Sequence, residues 1–140
     1  MPISRKLLCA VYAVIALVAL VATWSQNIAF LRGGGTFLSF WEATKANAAT
    51  RSITVDIALF FLAAAFLMVI EARRVGVKYV WAYILGGLLV AISVTFPLFL
   101  LARELRLEKS DAIRLRTSDS ILLAVLAIAQ LAFTLWVDVA

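Results

Sequence analysis

Three features of this chain could do chemistry: a carboxylate inside an apolar run, a turn carrying two arginines, and an arginine closing another apolar run. Asp56 falls in Thr54 to Ile70, which has no other charged residue. An ionised carboxylate in hydrocarbon is costly unless it is paired or hydrated. Asp56 is therefore half of an ion pair, a side chain reaching water at an interface, or part of a proton or cation path. Glu71, Arg73, Arg74 and Lys78 crowd one short turn. Its arginine forks could hold a lipid phosphate while Glu71 braces one of them, and a merely solvated turn is the plainer reading. Ser93, Thr95 and Gln130 are polar side chains at depth. With Asp56 they form the one intramembrane polar path the residues offer.

The missing residue types narrow the chemistry further. With no histidine and a single cysteine, Cys9, the chain has no imidazole for haem or zinc and no thiol cluster or internal disulfide. No cofactor is predicted, although a bound lipid or pigment would fit so apolar a chain. An enzyme acting on isoprenoid or lipid substrates would have to use Asp56 and Glu71 as its acids. On one helix those two lie about 22 Å apart, too far to act on one bond.

The elements that must position these residues are four long apolar stretches, placed at about 7–27, 53–72, 79–102 and 119–137. Leu7 to Trp24, Tyr79 to Ala102 and Ser120 to Val137 contain no charge, and helices of such length match a hydrocarbon core about 30 Å thick. Backbone in lipid must satisfy its own polar groups, so these runs are helices. The chain is 65% hydrophobic with a mean hydropathy of +1.05, and residues 1–140 read as a single membrane domain. The net charge of +5 is scattered over the connections, which argues against nucleic acid and for a bilayer with anionic headgroups. Met-Pro-Ile-Ser-Arg-Lys before the first run resembles a secretory signal, but so long an apolar core is better read as a retained span. The expected fold is all-α: a four-transmembrane-helix bundle with one short interfacial helix.

That short helix is expected over about 36–48. Gly33-Gly34-Gly35 breaks the first helix, Thr36 can cap the next, and Phe37, Phe40, Trp41, Thr44 and Ala48 share a face. The second and third spans, antiparallel and joined by the short Glu71 to Lys78 turn, put Asp56 and Arg103 on the same membrane side, where they can pair. Gly87, Ala91 and Thr95 form a small-residue stripe that lets a neighbouring helix approach. Pro97 should bend the third helix near Ser93, and Gln130 lies at a depth from which it could bond Ser93.

Several short motifs occur in order: Ala46-Asn47 nine residues before Asp56, then Glu71-Ala-Arg73-Arg74, then Phe96-Pro97-Leu98-Phe99-Leu100-Leu101-Ala-Arg103-Glu104. In these the chain resembles a family of small bacterial membrane proteins, domain of unknown function 2834, over about residues 7 to 106. Lys45 departs from the family pattern, which has Phe there, and the fourth apolar stretch lies beyond the usual end. The resemblance implies a fold and a bacterial inner membrane, and no established activity.

Orientation is contradictory on this reading. Arg5, Lys6, Arg73, Arg74 and Lys78 fall on one side, with Arg32, Lys45, Arg51, Arg103, Arg106, Lys109, Arg114 and Arg116 on the other. The short arginine turn and charged N-terminal tail favour both termini in the cytoplasm despite that tally. The expected function is non-catalytic: an accessory or assembly subunit packing against other membrane protein subunits, or a lipid-binding partner. The alternative is a small transporter or hydrophobic-ligand binder using Asp56, Ser93, Thr95 and Gln130.

Overall fold

The computed structural model describes residues 4–107 and 115–139, and these are all helix and connecting turns. The elements are α1 (Arg5–Arg32), α2 (Phe37–Ala43), α3 (Ala48–Val75), α4 (Val80–Gly86), a π-helical turn (Gly87–Ala91), α5 (Ile92–Arg106) and α6 (Thr117–Val139). Four helical segments are long and apolar enough to cross a membrane: Arg5–Arg32, Ala48–Val75, Val80–Arg106 and Thr117–Val139. With the short α2 they give the expected all-α membrane architecture.

Local chemistry fixes the helix starts. Leu7 donates its amide to the Ser4 hydroxyl, and Thr36 with Ser39 and Asn47 with Thr50 form reciprocal capping boxes at α2 and α3. α2 is shorter than the 36–48 expected, because Asn47 ends the preceding turn by capping α3. Its aromatics close on the end of α1 through edge contacts of Phe40 with Phe30 and with Trp41. α3 stops at Gly76, whose φ of 87° is open to glycine and strained for other residues.

The third apolar segment does not run straight. Ala91 has extended backbone (φ −177°, ψ 138°) between two helical stretches, so the chain folds back there. In one straight helix Tyr83 and Phe99 would be about 24 Å apart, yet their ring centroids are 5.8 Å apart. α4 and the π-helical turn thus form one arm of a hairpin and α5 the other. At its tight end, Gly86 and Gly87 lie against Thr95, and Gly87 also meets Phe61 of α3. The small-residue stripe allows close approach both between the two arms of its own segment and, at Gly87, to Phe61 of α3. The break also corrects the bend expected near Ser93, since it falls two residues before the turn on which the Pro97 ring acts.

Trp24 of α1 donates its indole N–H to the Val90 carbonyl at 3.0 Å. With the backbone extended at Ala91, the helix cannot supply that carbonyl with its usual partner, and the indole replaces it. The core lies between α3 and the hairpin arms, where Met68, Ala72, Val77, Val80, Ile84, Ile92 and Phe99 pack together.

The hairpin changes which end of the bundle each residue occupies. α5 runs from the tip back to the end where α3 finishes and α1 begins, as the Arg103–Glu71 and Arg5–Glu104 pairs require. At the opposite end, Gln26 donates to the Asp138 carbonyl at 3.3 Å, so α6 finishes where α1 finishes. The start of α1 and the end of α6 therefore lie at opposite ends of the bundle. α6 has no buried residue.

Candidate functional site

Charged side chains converge where α1 begins and α3 and α5 end. Glu71 lies in the last turn but one of α3, beside the turn that returns the chain into α4. Arg74, three residues on, reaches back over one helical turn and donates Nε to Oε1 at 2.7 Å and a terminal nitrogen to Oε2 at 3.0 Å. From α5, Arg103 donates Nε to the same Oε2 at 2.5 Å. One carboxylate thus holds two guanidinium groups, of which Arg103 is the more enclosed, its side chain 19% exposed against 63% for Arg74.

Arg103 was expected to face Asp56, and the structure corrects this. Folding back at Ala91 carries Arg103 to the far end of α3, fifteen residues along that helix from Asp56, about 22 Å away. Asp56 is exposed and has no ion-pair partner among the described residues.

Below the charges lies a cleft of about 270 Å³ lined by Leu67 and Glu71 of α3, the nearby Arg74, and Phe99, Leu100 and Arg103 of α5. Its floor is apolar and its mouth cationic, braced by one acid. Arg73 and Lys78 belong to the same end of the bundle and are exposed. They lie beside the cleft without lining it.

Glu104 is a participant that the sequence reading left without a role. It is 4% exposed, its Oε1 lies 3.9 Å from Arg5 Nε, and its Oε2 has no hydrogen-bond partner among the described residues. Tyr12, two turns along α1 from Arg5 and on the same face, lies within electrostatic reach of Glu104 and Arg103. The Arg103-Glu104 dipeptide was visible in the sequence. Its meaning depended on the hairpin, which brings it beside the start of α1.

The polar path expected in the membrane is not assembled. Ser93 and Gln130 are exposed, neither side chain makes a hydrogen bond among the described residues, and the Gln130 carbonyl accepts from the Thr134 hydroxyl at 2.8 Å. Ser93 and Gln130 therefore do not bond each other. Thr95 alone of the set is buried, with Oγ1 unpartnered against the glycines of the hairpin. Among the described residues, no group of three carboxylate or thiol side chains is placed to hold a metal ion.

No curated protein and no solved structure matches the chain. The family described as Protein of unknown function DUF2834 matches residues 11–105, which takes in most of α1, all of α3, the hairpin but for its last residue and the Glu71–Arg103 pair, with α6 as a further helix beyond it. The chain belongs to that family of polytopic membrane proteins.

Proposed function

We propose that the protein is a non-catalytic accessory subunit of a larger membrane assembly, with its cationic end in the cytoplasm and α6 as the helix that meets other subunits. The observation that carries this reading is α6 itself. Its 23 residues suffice to cross a membrane, yet none is buried, and Leu122, Leu126, Ile128, Phe133 and Trp136 are all more than half exposed. In a bilayer, helix association comes from packing and polar contacts, not from escape from water. A crossing helix that makes so little use of its own bundle keeps its faces for another chain.

The orientation has separate support. With the hairpin in place, Arg5, Lys6, Arg73, Arg74, Lys78, Arg103 and Arg106 share one end, and α6 starts from there with Arg116. Arg32, Lys45 and Arg51 are at the other. Among the described residues the balance is eight basic side chains to three, in the direction that places the larger set in the cytoplasm. Lys109 and Arg114, counted in the sequence tally, lie outside the described residues.

Photo-crosslinking in intact cells tests the subunit reading. A photoreactive residue at Ile128 or Leu122 should yield a discrete crosslink to a protein chain, and a second copy of this chain would identify a homo-oligomer. Crosslinks to lipid alone from every face of α6 would overturn it.

A further inference from the structure

We propose that the cleft between α3 and α5 is a binding site for one anionic phospholipid, its phosphate on Arg103 and Arg74 and the first part of an acyl chain over Leu67 and Leu100. The site rests on charge complementarity with an apolar extension, and it stands whether or not α6 meets another subunit. Arg74 and Arg103 both reach Glu71, and with Arg5, Arg73 and Lys78 at the same end the basic side chains outnumber Glu71 and Glu104 among the described residues. Arg103 spends only Nε on Glu71, and its two terminal nitrogens make no further hydrogen bond among the described residues. Those two N–H groups form the fork that matches phosphate oxygens, and Glu71 fixes its orientation before any ligand arrives.

The floor of the cleft decides between a lipid and free phosphate. Leu67 and Leu100, backed by the buried Phe99, offer nothing to an inorganic ion, whereas an acyl chain descending from a headgroup would pass over both leucines. At about 270 Å³ the cleft lies just below the roughly 300–1,000 Å³ of enclosed small-molecule sites. It suits a headgroup and the first methylenes, with the rest of the lipid in the bilayer. The cleft also sits at the end of α3 and α5, at headgroup depth if the bundle spans the bilayer. Burying Arg103 beside an apolar floor makes sense when an anion completes its coordination.

The test is competition on the full chain, purified and delipidated in mild detergent. Native mass spectrometry with equimolar phosphatidylglycerol and phosphatidylcholine should show one phosphatidylglycerol retained per chain, with at least tenfold preference. Arg103→Gln should lower that retention at least fivefold. Because this variant strands Glu71 and could unfold locally, Glu71→Gln/Arg103→Gln serves as the second variant: it removes both charges together and should show the same loss with unchanged helicity. Arg32→Gln at the opposite end should retain phosphatidylglycerol as the parent does. Equal retention of the two lipids by the parent, undiminished retention in the double variant, or full displacement by millimolar inorganic phosphate would each overturn the lipid site.

Discussion

At the residue scale, Glu71 carries more than any other side chain, because one carboxylate ties together the turn after α3 and the end of α5. Its side chain is 13% exposed and accepts three charge-assisted hydrogen bonds. Glu71→Gln should destabilise the bundle by about 1–3 kcal/mol, between the cost for exposed and for buried ion pairs. Adding Arg103→Gln should recover part of that loss, as thermal unfolding in detergent across the double-mutant cycle will measure. Asp56→Asn should change stability by no more than about 0.5 kcal/mol, as expected of an exposed side chain without a partner. The sequence made both carboxylates conspicuous, one alone in an apolar run and one beside paired arginines. It could not say which of them Arg103 would meet. That pairing depends on whether the chain crosses or returns between Tyr79 and Ala102, and the uncharged run reads identically in both cases.

At the scale of elements, the hairpin is held by close backbone packing and one indole. A Cβ at Gly87 would lie 2.8 Å from Phe61 Cε2 and 2.9 Å from Ile92 Cδ1. Gly87→Ala should therefore cost about 1–3 kcal/mol as overpacking. Gly76→Ala meets nothing within 4 Å, but its φ of +87° strains any L residue, for a cost of about 1 kcal/mol. Trp24→Phe keeps the aromatic surface and removes the donor to Val90, so amide exchange should quicken around the π-helical turn and not at Met68 or Ala72 in the core. The caps and the short α2 were legible because Ser4, Thr36 and Asn47 act over three residues. The stripe of Gly87, Ala91 and Thr95 was legible too, but its partner was not. A small residue advertises close approach without naming what approaches, and here it is the other arm of the same segment together with Phe61 of α3.

At the scale of the whole molecule, the hairpin changes the charge tally that residue counting gave. Read as one crossing, the third segment puts Arg103 and Arg106 with Arg32, Lys45 and Arg51. Folded back, it returns them to the end that already holds Arg5, Lys6, Arg73, Arg74 and Lys78. α1, α3 and α6 each run once from end to end of the bundle, and the third candidate span starts and finishes at the cationic end. In a membrane that keeps this arrangement, an odd number of passes would put the two ends of the chain on opposite faces. Single thiols on a Cys9→Ala background read this directly: an impermeant maleimide applied to intact cells should modify cysteines placed at Ala46 and Val139, and should modify Lys78 and Arg106 replacements only after permeabilisation. Labelling of the Arg106 position together with Ala46 would restore a single crossing and remove the hairpin. Labelling of all four from outside would mean that the chain inserts in both orientations. The larger basic set would then impose no direction on the bundle.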